Sequence, residues 1–255
     1  MDKTERQRQH FNSIAEEYYQ ARRGEKHLQY KHRLFHYALD GLKVEGRKAA
    51  VLEPMCGYGE GREIVEKYIS EDIDYEGFDY SDVLVRKIND AFPEIKVFVQ
   101  DVTRYHPEPE SYDIIILIGG LHHVPDSAKD VVKHLCRGLK EGGIFINFEP
   151  TSNNPFIKLA RDIIYKRNHL FDEKTERAFT LREYNKMFED AGMKIERQLY
   201  PGLLGYVMYY NPDAFPILNR GTVRTVDRIF AIERGLYTNI VGRTFSFCTL
   251  SIFRK

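Results

Sequence analysis

Two adjacent histidines, His122 and His123, follow the apolar run Tyr112-Asp113-Ile114-Ile115-Ile116-Leu117-Ile118, and the run Ile144-Phe145-Ile146-Asn147-Phe148 ends in Glu149. Histidine titrates near neutral pH and a carboxylate can orient it, so these three residues are equipped to take a proton from an acceptor atom. The competing assignment leaves His122 in packing and has His123 cap the next helix. Three more carboxylates, Glu53, Asp79 and Asp101, also stand at the ends of short apolar stretches. Asp79 comes a little over twenty residues after Glu53, where a carboxylate at a strand end can accept both hydroxyls of a ribose. The alternative for Asp79 is a solvated loop residue.

These side chains need a scaffold, and the segment Ala49 to Glu60 predicts its first part. Ala49-Ala50-Val51-Leu52-Glu53 reads as a strand buried on both faces, followed by a turn containing Gly57 and Gly59 and a helix beginning near Gly61. A helix N-terminus behind a glycine turn presents backbone amides to a nucleotide. Arg62 stands where a dinucleotide fingerprint needs its third glycine, and no P-loop pattern occurs, so a dehydrogenase and a triphosphate site both fit poorly. Tyr75 to Ser81, Ile95 to Val102 and Tyr112 to Ile118 read as the second, third and fourth strands, with Leu139 to Pro150 as the fifth.

Val51-Leu52-Glu53-Pro54-Met55-Cys56-Gly57-Tyr58-Gly59 resembles the first motif of class I S-adenosylmethionine-dependent methyltransferases, an acidic residue followed by Gly-x-Gly-x-Gly. Met55 departs from it, standing at the first glycine. Gly119-Gly120-Leu121-His122-His123-Val124-Pro125-Asp126 and Leu139 to Pro150 resemble the fourth motif and fifth strand of small-molecule enzymes related to the ubiquinone and menaquinone methyltransferases. The resemblance spans roughly residues 45 to 150. It implies a cofactor site of Glu53, Met55, Cys56, Gly57, Gly59, Asp79, Tyr80, Asp101, Val102 and Gly119, with Asp101 at the adenine amino group. Phe11 to Tyr19 resembles the same group's N-terminal signature, in which an aromatic residue closes over the cofactor. Tyr18 is the residue carried over, although Phe11, Ile14, Ala15 and Tyr18 share a helical face that equally fits packing. The implied fold is α/β: a doubly wound, seven-stranded, mostly parallel sheet with helical lid insertions. The implied cofactor is S-adenosyl-L-methionine, leaving as S-adenosyl-L-homocysteine.

At 255 residues the chain suits one domain: an N-terminal helical cap over 1–48, a cofactor core over 49–150 and remaining core strands over 151–255. Lid insertions are expected at about 151–180 and 200–240. The second is rich in aromatics, including Tyr206, Tyr209, Tyr210, Phe215 and Phe230, and is the expected substrate wall for an apolar or aromatic molecule. Thr180 followed by Glu183 predicts a capping box. The 38 basic and 38 acidic side chains cancel, which gives no nucleic-acid signature, and three cysteines without a zinc-ligand pattern predict neither disulfides nor metal. No apolar signal core or membrane span is evident, so a cytoplasmic protein is expected. The function this predicts is methyl transfer to an O, N or C atom of a small molecule, with oxygen preferred. The alternatives are a nucleic-acid methyltransferase and a catalytically silent cofactor-binding partner.

Overall fold

The computed structural model describes residues 3–44, 46–155, 177–212 and 216–255, with some side chains of the first helix, Phe11 and Tyr18 among them, outside the described set. Seven strands form one sheet: β1 (Ala49–Pro54), β2 (Ile73–Asp79), β3 (Lys96–Val99), β4 (Tyr112–Ile118), β5 (Leu139–Pro150), β6 (Lys194–Leu199) and β7 (Cys248–Arg254). Their order is β3-β2-β1-β4-β5-β7-β6. The first five run parallel, and β7 lies antiparallel between β5 and β6. The chain reverses its direction of winding between β1 and β4, and this switch point is where open α/β sheets bind ligands.

Strand alternation assigns the two faces. On β4, Ile114 and Ile116 pack with α2 (Glu25–Ala38) and α3 (Glu60–Tyr68), while Ile115 and Leu117 pack with α5 (Ala128–Gly138) and α6 (Leu181–Asp190). All four side chains are fully buried, each contributing about 1.5–3 kcal/mol, which explains why β4 carries no polar alternation. Two further helices, α1 (Lys3–Ala21) and α4 (Asp82–Ala91), precede and follow the first two strands. The Thr180/Glu183 capping box forms at the start of α6, as its spacing predicts.

Most described rings of the aromatic segment 200–240 pack into the core. The segment contains a π-helical turn, Tyr206–Tyr210, and α7 (Val223–Glu233), followed by the short α8 (Ile240–Phe245). Tyr209, Tyr210, Phe230 and Tyr237 are buried against Tyr30 of α2, and Tyr210 meets Phe148 of β5 edge-on at 5.1 Å. These rings extend the core over β5, beside the edge-on contact that Phe35 of α2 makes with Phe148. Most of the lid insertion expected at about 151–180, residues 156–176, and Phe215 of the aromatic segment lie outside the described residues.

Candidate active site

At the carboxyl ends of β1, β2 and β4 the loops enclose a cleft whose walls include Met55, Cys56, Gly57, Asp79, Tyr80, Asp101, Val102, Gly119 and His123. The turn after β1 shapes it. Met55 has φ 54° and Gly57 and Gly59 have φ 52° and 74°, so the methionine holds the left-handed conformation that a glycine would take without strain. The departure from the motif therefore leaves the turn's path intact.

Glu53 builds this turn from beneath. One carboxylate oxygen accepts the Gly61 N–H at 2.8 Å, the other accepts Arg62 N–H at 3.0 Å and the Tyr75 hydroxyl at 2.7 Å. Burial pushes its pKa up to about 7 against the pull of those donors. A Cβ on Gly61 would stand 2.7 Å from the Glu53 carboxyl carbon, so only glycine lets the helix amides reach it. Glu53 borders the cleft, but its hydrogen bonds hold α3 in place. Gly59, carried over as a cofactor contact, is not among the cleft's described walls; it is the N-cap of α3.

Asp79 is differently placed. Its oxygens accept Gly57 N–H at 3.0 Å and Ser81 N–H at 2.8 Å, linking the two loops, and it remains only half-buried at the cleft wall. Burial raises its pKa, opposed by the amides. Asp101 lies two residues past the end of β3, in a turn where Oδ1 accepts both the amide and hydroxyl of Thr103 at 2.8 Å. Leu84, Val102 and Ile118 add apolar wall. A flat apolar slot flanked by two half-open carboxylates suits a nucleoside, whose base is apolar in its faces and whose hydroxyl and amino groups are donors.

Sequence analysis missed Arg8, Ser81, Leu84 and Gln100 among these walls. Arg8 arrives because α1 docks on the turn after β2: Asn12 donates to Asp82 at 3.0 Å and accepts from the Ser81 hydroxyl, and Arg8 lies over the Tyr80 ring. Nothing in the spacing of α1 announces that contact. Ser81 was findable as the cap of α4, accepting Leu84 N–H at 3.2 Å. The side chain of Tyr18 lies outside the described residues. Cys56 is a wall with an inert thiol, since burial drives its pKa far up.

On the other side of the switch point, Glu149 is fully buried and organises the loop after β4. Its Oε1 accepts Gly120 and Leu121 N–H, both at 2.8 Å, and its Oε2 lies 2.9 Å from His122 Nδ1. The carboxylate is an acceptor, so Nδ1 carries the proton. His122 is therefore a hydrogen-bonded ring, not packing filler, and His123 faces the cleft with its ring 3.9 Å from that of His122. Glu149, expected among the catalytic residues, is fully buried, with its oxygens on the loop amides and the His122 ring.

Residues 51–143, from β1 to the start of β5, match the family model described as a methyltransferase domain. This segment carries a methyltransferase domain. The carboxylates and glycine turn of the cleft fit S-adenosylmethionine: Asp79 and Asp101 would hold the adenosine, and the turn from Met55 to Gly57 would border the methionine half. Solved structures share the fold. A proposed methyltransferase of Haloferax volcanii, in complex with the Trm112 methyltransferase activator, aligns over 96% of both chains at 16% identity and TM-score 0.64. Geranyl diphosphate C-methyltransferase of Streptomyces coelicolor, in complex with Mg2+, geranyl diphosphate and S-adenosyl-L-homocysteine, aligns over 88% of this chain and 80% of its own at 15% identity and TM-score 0.59. An S-adenosylmethionine-dependent methyltransferase of Mesorhizobium loti covers 86% of this chain and 96% of its own, at 14% identity and TM-score 0.56. No curated protein matches the chain by sequence. Among the described residues no helix is long and apolar enough to cross a membrane, and no cluster of His, Cys, Asp or Glu is placed to hold a metal ion.

Proposed function

We propose that the protein methylates a small organic molecule in the cytoplasm, preferentially at oxygen, with His122 as the base and His123 as a wall of the acceptor site. The observation that carries this is the buried Glu149 at 2.9 Å from His122 Nδ1, beside a histidine that faces the cofactor cleft. Bound S-adenosylmethionine supplies an electrophilic methyl group, so the protein's task is to align an acceptor atom and take its proton. Glu149 fixes the tautomer of His122 and stabilises the imidazolium that forms when Nε2 accepts that proton. Asp79 and Asp101 hold the nucleoside, and α1 roofs that end of the cleft through Asn12 and Arg8. Such a roof suits a small acceptor, and the balance of 38 basic against 38 acidic residues gives a nucleic acid no electrostatic reason to bind. No described residue from 200–240 lines the cleft, so the aromatic wall expected there does not support an aromatic acceptor.

The test is release of S-adenosylhomocysteine across a panel of phenols, carboxylic acids, amines and activated carbon acids. Methylation at oxygen is the expected outcome, with His122→Ala slowing turnover about 100-fold and His123→Ala acting mainly on the acceptor's KM. Unchanged turnover in His122→Ala would remove the base assignment; methylation of RNA and of no small molecule would remove the substrate class.

A further inference from the structure

Large apolar side chains left in water are scattered singly on most protein surfaces, and here they are not. Of the ten exposed ones among the described residues, seven fall between Leu204 and Phe245, including the three most exposed, Ile232, Ile217 and Ile240 at 76%, 75% and 70%. Contacts within the chain gather five of the seven. α7 buries Val226, Phe230 and Glu233 along one face, so Arg224, Arg228 and Ile232, at successive four-residue steps, point away from the core. Past the end of α7, the Asn239 side chain donates to the Gly235 carbonyl at 3.2 Å and caps α8. That short helix lies so close to the preceding turn that a Cβ on Gly242 would stand 2.0 Å from the Leu236 carbonyl oxygen. With Gly242 pressed inward, Ile240, Val241, Arg243 and Phe245 stay exposed. Leu204 joins them because Glu233 accepts the Gly205 N–H at 3.0 Å and the Phe247 N–H donates to the Gly202 carbonyl at 2.8 Å. The five apolar residues are Leu204, Ile232, Ile240, Val241 and Phe245, and none is among the described walls of the cofactor cleft.

Charge around this face is one-sided. Arg224, Arg228, Arg234 and Arg243 are all exposed, and none forms an ion pair among the described residues. The acids of the same stretch are turned the other way: Asp227 accepts from Arg33 at 2.9 Å and from Gln29 at 2.7 Å, both on α2, and Glu233 is buried. Guanidinium groups are suited to two-pronged hydrogen bonds with phosphate.

We propose that this face docks on a membrane surface containing anionic phospholipid, with Ile232, Ile240, Val241 and Phe245 entering the headgroup boundary and the four guanidiniums holding lipid phosphates. A bilayer presents the two chemistries together, phosphate at the surface and hydrocarbon beneath it. A second copy of the chain would set the arginines of one face against those of the other, and a nucleic acid would leave the apolar side chains uncovered. The contact is peripheral, since among the described residues no helix is long and apolar enough to cross a membrane. The surface is independent of the base assignment at His122.

The test mixes the full chain with vesicles of phosphatidylcholine alone and of phosphatidylcholine with about one-third phosphatidylglycerol, and reads the bound fraction by flotation. Binding to the anionic vesicles should be at least about tenfold tighter than to the neutral ones and should fall at high salt. Ile232→Ser combined with Ile240→Ser, and separately Arg228→Gln combined with Arg243→Gln, should each weaken it about tenfold, with the melting temperature near that of the wild type because all four side chains are exposed. The chain contains no tryptophan, so Ile240→Trp provides a single reporter whose emission should shift to the blue on anionic vesicles. Phe92→Trp, at the exposed end of α4, should show no such shift. Absence of wild-type binding to anionic vesicles, equal binding to both vesicles, or binding unaffected by the isoleucine pair would overturn the proposal. Self-association of the free chain that the isoleucine pair abolishes would also overturn it, by assigning the face to a second copy.

Discussion

Glu53 and Glu149 sit at the ends of β1 and β5 with 2% and 0% exposure, whereas Asp79 and Asp101, at the ends of β2 and β3, are half-open to the cleft. All four are carboxylates at the same edge of one sheet. The two glutamates have their oxygens committed to loop donors, Gly61, Arg62 and Tyr75 for one, Gly120, Leu121 and His122 for the other. Asp79 ties its own turn to Gly57 and Asp101 anchors only its local turn, and both border the cleft. The longer side chain reaches under a loop and builds it; the shorter one stays at the rim and can meet a ligand. Stability and binding should therefore separate between the pairs.

The sharpest break between the pairs is in folding. Glu53→Ala strands two helix amides and a phenol in a buried site, and should lower the unfolding free energy by about 3 kcal/mol, read as a drop in urea midpoint. Asp79→Ala should lower it by less than about 1 kcal/mol. Glu149→Gln comes next. The amide cannot accept from His122 Nδ1–H while keeping both loop amides, so turnover should fall about 100-fold with cofactor affinity nearly constant.

Acidity distinguishes the buried glutamates in a third way. Glu53 and Glu233 have pKa values raised to about 7 in the fold, so the stability they contribute is present below the ordinary carboxylate range and lost as pH rises through 7. His27, lowered to about 4, acts oppositely: its contribution is present above 6.5 and lost as pH falls toward 4. Two carboxylates outweigh one imidazole, so the urea midpoint should fall between pH 5.5 and about 7.5, and Glu233→Gln should remove most of that slope. The smallest effect is at Met55. Met55→Gly relieves a left-handed methionine but removes its packing beside Gly120, so stability should change by less than about 1 kcal/mol in a melting experiment.

Much of this was legible in the chain. Apolar runs located the strands, Leu139–Pro150 to its ends, and the carboxylates after them marked one edge of the sheet. The sequence could not distinguish a carboxylate that faces a ligand from one that grips a loop, because the difference lies in which amides arrive beneath it after folding. Aromatic content in 200–240 predicts a substrate wall, yet pattern does not say what each ring packs against; Tyr210 and Phe230 pack in the core against Tyr30 of α2. Arg8 reached the cleft through a contact between α1 and the Ser81 turn, separated by some seventy residues and invisible to local pattern.

Titration calorimetry of S-adenosylhomocysteine into the wild type, Asp79→Asn and Glu149→Gln tests the division between the two pairs most directly. The wild type should bind in the micromolar range, about −8 kcal/mol, with Asp79→Asn weaker by at least about tenfold and Glu149→Gln within about twofold of the wild type. Equal weakening by both substitutions, or no heat from the wild type, would contradict the account.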